Sequence, residues 1–192
     1  MQQSQGGADM NISTVAVIGA GQMGSGIAQV AALSGTRVIM HDLNYELAER
    51  GLSQIRKALA RSVEKGRISR EDSEAALSRI CVGRELSHAC DADMAIEAVV
   101  EAVDVKLRVM EQLDSIMKPD AIIASNTSSI SITRLAAATG RPDKVIGMHF
   151  FNPVPVMKLV EVITGYDTSR ETQEATCSLA EKFGKTPVIV KD

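Results

Sequence analysis

The chain has 192 residues, of which 45% are hydrophobic and 23% charged, a composition that excludes a disordered protein and predicts a domain with a buried core. Its formal net charge of −3 excludes the broad basic surface of a general nucleic-acid binder, so a small-molecule partner is expected. The cysteines, Cys81, Cys90 and Cys177, form neither a CxxC pair nor a His/Cys cluster, so we expect no disulfide framework, no metal site and a reducing, cytoplasmic location.

The predicted elements begin after residues 1–11, which lack the regions of a signal peptide and are expected to form a flexible tail. No later apolar run approaches the ~18 residues of a membrane span. Over residues 12–192, short β-branched runs alternate with longer helical patterns, which predicts an α/β domain with a doubly wound, mostly parallel sheet and helices on both faces. Strands are predicted at 14–19, 37–42, 80–83, 94–99, 121–126, 145–150, 157–164 and 187–191, and helices at 22–34, 45–64, 71–78, 101–117, 131–139 and 169–183.

The first strand leads directly into a GxGxxG motif and a helix pattern. In a Rossmann-type domain these glycines allow a tight turn, a close approach of the backbone to a diphosphate, and tight packing of the helix on the strand. The alternative is a glycine-rich turn in an ordinary α/β protein, which the order of strand, glycines and helix disfavours. The residues expected to bind the cofactor here are Gly19, Gly21, Gln22, Met23 and Gly24.

The second strand ends in Asp42, 18 residues after Gly24. A carboxylate at this position accepts hydrogen bonds from an adenosine ribose and repels a 2′-phosphate. No arginine follows in "DLNYE". The sequence therefore predicts NAD rather than NADP as the cofactor.

Polar residues also follow the later strands, and the carboxyl ends of parallel strands meet at one crevice. Glu97 and Glu101 follow the fourth strand, "SNTSS" (125–129) follows the fifth, and His149 ends the sixth. Part of "SNTSS" is expected to cap the next helix, and the pattern does not rank Glu97 against Glu101.

His149 precedes "NPVP", a turn that returns the chain alongside as "MKLVEVIT" with Glu161. An isolated histidine is more often structural than catalytic, but this one lies at a strand exit. A carboxylate bonded to one ring nitrogen fixes the tautomer, as a general base requires. His41 and His88 have no such partner and are interpreted as surface or structural residues.

Two helices have informative faces. In the fourth predicted helix, apolar residues at helical spacing are expected to face the sheet: Val105, Val109, Leu113 and Ile116. In the second predicted helix, residues 45–64, and just after it, Lys57, Arg61 and Lys65 form a basic row at a spacing of four residues. This row is either a solvated face or an anion site for a phosphate-bearing substrate.

Four motifs, "VIGAGQMGSGIAQVAA", "IEAVVE", "ASNTSSISIT" and "GMHFFNPVPVMKLVEVI", closely resemble the L-3-hydroxyacyl-CoA dehydrogenases, in particular the bacterial 3-hydroxybutyryl-CoA enzymes. The resemblance runs from about Ile12 to Asp192. It implies that the protein transfers hydride between NAD and a (3S)-3-hydroxyacyl-CoA. The alternatives are a non-catalytic NAD-binding module and a dehydrogenase of free β-hydroxyacids, which uses a catalytic lysine instead.

The resemblance also implies roles for individual residues. His149 is the general base, Glu161 orients it, and Ser128 bonds the substrate oxygen. The implied cofactor contacts are Glu101 and Asn152 at the nicotinamide end, together with Ser128 and Lys106. The implied contacts with coenzyme A are Arg61, Lys65 and Ser128. The family continues beyond the equivalent of Asp192 into a helical domain that completes the acyl pocket and forms a homodimer, so we expect this chain to be the NAD-binding domain alone.

Overall fold

The computed structural model describes residues 11–192, which form one eight-stranded sheet flanked by helices. The predicted tail lies outside the described residues, except for the exposed Asn11. The strands are β1 (Thr14–Ile18), β2 (Arg37–His41), β3 (Ile80–Val82), β4 (Met94–Glu97), β5 (Ile122–Ser125), β6 (Val145–Phe150), β7 (Leu159–Thr164) and β8 (Thr186–Lys191). The helices are α1 (Gln22–Leu33), α2 (Tyr45–Glu64), α3 (Arg70–Ser78), α4 (Val103–Ile116), α5 (Ile132–Ala136) and α6 (Arg170–Lys182), with 3₁₀ turns at Leu86–Asp91 and Pro142–Lys144.

The strand order is β3-β2-β1-β4-β5-β6-β7-β8. All neighbouring strands pair in parallel except β6 and β7, which are antiparallel. The predicted doubly wound, mostly parallel fold is therefore confirmed, as are the eight strands and six helices, to within a few residues at their ends. The order reverses between β1 and β4, and a crevice opens at such a switch point.

Two apolar layers cover the sheet, one on each face. Val15 and Val17 of β1 pack into the layer that contains α1, α2, α3 and α6, whereas Ala16 and Ile18 pack into the layer with α4 and α5. All five residues of β1 are buried as a result. Burial on both faces is the reason that the central strands are continuous apolar runs.

The buried face of α4 differs from the predicted one. Leu113 is buried as expected, but Lys106 is buried too, and Val105 and Val109 are only half-buried and line a cleft. The buried residues of α4 are Lys106, Met110 and Leu113, whereas Val109 and Ile116 pack at the edge of the apolar layer. The buried face thus includes Lys106, whose ammonium lies 2.7 Å from Glu97 Oε1.

Candidate active site

The glycine-rich turn joins β1 to α1 at the switch point. Gly19 has a φ of 102°, and a Cβ there would lie 2.5 Å from the carbonyl oxygen of Ala98. A Cβ on Gly24 would lie 1.7 Å from the carbonyl oxygen of Gly19. Both positions therefore require glycine, the first for its backbone conformation and the second for the close contact of α1 with the turn.

Gly21 is different, because no heavy atom lies within 4 Å of its Cβ position. It is the N-cap of α1, where no side chain accepts a capping hydrogen bond and the first turn contains no acidic residue. The first backbone N–H groups, those of Gln22 and Met23 included, have no intrahelical partner and carry the positive end of the helix dipole. Open space beside these donors fits the diphosphate of a dinucleotide.

The two glycines predict different results for alanine substitution. Gly21→Ala should leave the melting temperature unchanged but weaken NADH binding roughly ten-fold or more, about the effect of losing one hydrogen bond to a charged group. Gly24→Ala should lower the melting temperature, because the Gly19 carbonyl must move. Thermal melts and NADH fluorescence titrations of both variants check this. Wild-type NADH affinity in Gly21→Ala would contradict the diphosphate assignment.

A cleft of about 420 Å³ extends from this turn across the ends of β1, β2 and β4. At its edge, the carboxylate of Asp42 accepts hydrogen bonds from the N–H groups of Ala20 (2.6 Å) and Leu43 (2.7 Å). Leu43 and Val100 line the cleft and are 92% and 68% exposed. Exposed apolar walls beside a fixed carboxylate suit an adenine ring and its ribose, as the sequence predicts.

A buried ion pair lies next to this cleft. The Lys106 ammonium is 2.7 Å from Glu97 Oε1 and 3.2 Å from Glu101 Oε2, and the side chains of Lys106 and Glu97 are 1% and 0% exposed. Glu97 also accepts hydrogen bonds from the Ser125 hydroxyl (2.6 Å) and the Val99 N–H (2.7 Å). Lys106 therefore supports Glu101 from below and presents no free surface to a ligand.

Glu101, in the loop between β4 and α4, binds the loop after β5. It accepts hydrogen bonds from the Thr127 hydroxyl, the Ser128 N–H (3.1 Å) and the Ser129 hydroxyl (3.2 Å). Burial alone would raise the pKa of Glu101, but the Thr127 hydrogen bond, the Lys106 charge and the Ser128 N–H together lower it. Glu101 is consequently an anion at neutral pH and fixes the backbone that carries Ser128.

Asn126 extends the same connection to β6. Its N–H donates to the Glu97 carbonyl (2.8 Å), and its Oδ1 accepts the N–H of Phe150 (2.8 Å). The exit of β5 is therefore bonded to the residue that follows His149. Sequence reasoning missed this role, although an amide directly after a strand in "SNTSS" was a signal for it.

His149 and Glu161 are paired across the antiparallel strands β6 and β7. The distance from His149 Nδ1 to Glu161 Oε2 is 2.8 Å, and the side chains are 16% and 34% exposed. The ring of Phe151 packs at a tilt against the imidazole, with centroids 4.6 Å apart. A neutral imidazole that donates from Nδ1 to the carboxylate keeps its lone pair on Nε2. The predicted return of the chain through "NPVP" is confirmed.

Other predicted residues lie in exposed loops or on α2. Ser128 and Asn152 are exposed in the loops that follow β5 and β6. Arg61 and Lys65 are exposed at the far end of α2, and Arg61 is about 24 Å along the helix from its start beside the cleft. The basic row is therefore exposed to solvent, and its role as a phosphate contact stays a prediction.

The other two histidines and the three cysteines belong to different parts of the structure. His41 lines the cleft, with Nδ1 3.2 Å from the carbonyl oxygen of Gly83, and His88 is exposed. The three cysteines are free thiols. Within residues 11–192, no three metal-ligating side chains are grouped, and no helix has the length and apolar character needed to cross a membrane.

The reversal in strand order, the glycine-rich turn, the uncapped helix and the strand-end carboxylate together define a dinucleotide-binding domain of the Rossmann type. The sequence profile described as "3-hydroxyacyl-CoA dehydrogenase, NAD binding domain" matches residues 14–192. The chain belongs to this family, and NAD is its cofactor. The family identified from the sequence motifs is thereby confirmed.

Individual relatives agree with this assignment. The chain is 52% identical over 183 residues to a probable 3-hydroxybutyryl-CoA dehydrogenase of Bacillus subtilis. This alignment covers 95% of this chain and 64% of that protein. It is 48% identical over 181 residues to a 3-hydroxybutyryl-CoA dehydrogenase of Bradyrhizobium diazoefficiens, and this alignment covers 94% of this chain and 62% of that protein. The crystal structure of (S)-3-hydroxybutyryl-CoA dehydrogenase from Ralstonia eutropha matches with a TM-score of 0.93 at 44% identity, over 95% of this chain and 64% of that one. The chain thus spans less than two thirds of each relative.

Proposed function

We propose that this chain is the cofactor-binding part of an NAD-dependent dehydrogenase that oxidises a short-chain (3S)-3-hydroxyacyl-CoA, such as 3-hydroxybutyryl-CoA, to the 3-oxoacyl-CoA. The observation that carries the proposal is the His149–Glu161 pair, joined at 2.8 Å between β6 and β7, with His149 near the carboxyl end of β6 at the same edge of the sheet as the glycine-rich turn. The names of the relatives from Bacillus and Bradyrhizobium support the acyl-CoA substrate class.

In this proposal His149 is the general base. Glu161 accepts the Nδ1 proton in a hydrogen bond and so keeps the lone pair on Nε2. Nε2 removes the proton of the 3-hydroxyl group, and the carboxylate of Glu161 stabilises the imidazolium that forms. Bound NAD supplies the hydride acceptor.

The neighbouring residues orient the reactants. Glu101 fixes the N–H of Ser128, and the Ser128 hydroxyl bonds the substrate oxygen near the nicotinamide. Asn152 and Glu101 contact the nicotinamide end of the cofactor. Lys106, implied by the motif to be a direct cofactor contact, acts through Glu101 instead, because its ammonium is buried between two carboxylates.

The exposed residues Arg61 and Lys65 bind the phosphates of coenzyme A. We expect the double variant Arg61→Ala with Lys65→Ala to raise the KM for acyl-CoA roughly five- to ten-fold, because two charge-assisted contacts are lost. The NADH affinity should not change. The matched control is Arg56→Ala with Lys57→Ala, which removes two cations from the same helix. An equal rise in KM for both double variants would show a general charge effect and contradict a specific phosphate site.

Compartment and assembly follow from the same proposal. The free, partly exposed thiols Cys81 and Cys90 support a reducing, cytoplasmic location. The family resemblance supports homodimerisation of the complete protein through a helical domain after residue 192. Light scattering of the complete gene product checks the dimer.

The test of the reaction uses the complete gene product with acetoacetyl-CoA and NADH, followed by the loss of NADH absorbance. We expect turnover that is saturable in both substrates. If NADH binds but neither acetoacetyl-CoA nor a longer 3-oxoacyl-CoA is reduced, the chain is an NAD-binding module and the proposed reaction is wrong.

A further inference from the structure

Lys185 is a buried cation that has no role in the proposed reaction. It lies just before β8, is 7% exposed, and donates from Nζ to the carbonyl oxygens of Val154 and Met157, the latter at 2.8 Å. Both acceptors are backbone groups of the turn between β6 and β7, and no carboxylate in residues 11–192 forms a salt bridge with it. Burial, together with the nearby charge of Lys158, lowers the pKa of Lys185. An ammonium held this way needs its two carbonyl partners.

The same turn is held from its other side by α1. The Val154 side chain is 2% exposed, and a Cβ built on Gly26 would lie 2.8 Å from Val154 Cβ. Within the turn, the N–H groups of Val156 and Met157 donate to the Pro153 carbonyl (2.9 and 3.0 Å). The turn is therefore packed between α1 and Lys185.

The position of this turn matters for the His149 site. The turn begins at Asn152, three residues after His149, and ends just before β7, which carries Glu161. Glu161 is the third residue of β7, so a displacement of the turn at the start of this strand would lengthen the His149–Glu161 hydrogen bond. Misplacement of a catalytic group by about 1 Å typically lowers a rate by about 10²-fold.

We propose that Lys185 is a positioning residue that fixes the turn before β7, and through it the distance from Glu161 to His149, by binding the carbonyls of Val154 and Met157. The inference rests on the proposed function, because it gives Lys185 a role in that reaction. Lys185 itself touches neither substrate nor cofactor.

The test replaces Lys185 with methionine, which keeps the aliphatic stem and removes the donors. In the complete gene product we expect kcat to fall by roughly 10- to 100-fold, with the KM for acetoacetyl-CoA and the affinity for NADH unchanged. In the 192-residue chain, the NMR resonance of the His149 Nδ1 proton, assigned by its loss in His149→Ala, should shift or broaden. This resonance requires no turnover, so it reports on Lys185 even if the proposed reaction fails.

The matched control is Lys182→Met, because Lys182 ends α6 three residues before Lys185 and donates to the Ile12 carbonyl (3.3 Å), away from the turn. It should leave kcat and the resonance at wild-type values. A wild-type resonance and kcat in Lys185→Met, or equal losses in both variants, would overturn the proposal. If Lys185→Met does not fold, Gly26→Ala tests the same proposal, since its methyl group displaces the turn from the α1 side. This variant should also lower kcat and shift the His149 resonance. Wild-type kcat and resonance in a folded Gly26→Ala protein would also overturn it.

Discussion

Replacement of His149 by alanine in the complete gene product should lower kcat for acetoacetyl-CoA reduction by roughly 10²- to 10⁴-fold, the usual loss when a general acid or base is removed. In the direction of reduction, the imidazolium donates the proton that forms the hydroxyl group. The NADH affinity should stay at the wild-type value, because the glycine-rich turn and Asp42 lie elsewhere in the crevice. Steady-state kinetics and NADH fluorescence titration measure the two effects separately.

Two further variants sharpen this experiment. Glu161→Gln keeps the size of the side chain but removes its charge, and it should lower kcat by a smaller factor than His149→Ala, because loss of the residue that orients a base costs less than loss of the base itself. His88→Ala removes an exposed histidine and should change neither kcat nor affinity. A His149→Ala protein that turns over as fast as wild type would show that the base has been assigned to the wrong residue.

Replacement of Lys106 by methionine should lower the free energy of unfolding by about 3–5 kcal/mol, the typical cost of removing one partner of a buried ion pair. The variant leaves the carboxylate of Glu97, which is 0% exposed, without its cation. That loss is a large fraction of the 5–15 kcal/mol or so that stabilises a typical domain. Urea denaturation of the 192-residue chain measures the change.

The control is Lys118→Met, which breaks the Lys118–Asp93 pair, where the side chains are 49% and 28% exposed. Such a pair contributes only about 0–1 kcal/mol. The double variant Glu97→Gln with Lys106→Met should be more stable than Lys106→Met alone, because the fully buried side chain of residue 97 then carries no uncompensated charge. If Lys106→Met loses no more stability than Lys118→Met, the buried pair does not stabilise the fold.

Most of the fold could be predicted because local sequence and burial agree. β1 and β5 lie between two layers of helices, so each reads as a short apolar run, and Gly24 marks the place where α1 meets β1. The His149–Glu161 pair could also be predicted. The connection between the two residues is short, and alternation along β7 places Glu161 on the opposite side from Val160 and Val162.

The polar contacts inside the domain could not be predicted, because they depend on where the charged end of each side chain lies in the folded protein. The apolar spacing of α4 predicted Val105 and Val109 as its buried face, but the helix buries Lys106 because an ammonium reaches Glu97 from that side. Glu97 and Glu101 were indistinguishable in sequence, yet one is buried at the end of β4 and the other accepts the hydroxyl of Thr127. Periodicity describes apolar burial and does not describe polar side chains that bridge distant elements.

The sequence by itself determined the order of strands and helices, the glycine-rich turn, the strand-end carboxylate and the family. These features depend on residues close together in the chain, where spacing, backbone freedom and hydrophobic alternation act directly. Only the tertiary structure decided that Lys106 serves Glu101, that Asn126 bonds β6 beside His149, and that Lys185 lies beneath the turn leading to Glu161. Each of these contacts joins residues at least five positions apart, and a buried polar group takes whichever partner the packed chain brings within hydrogen-bond distance.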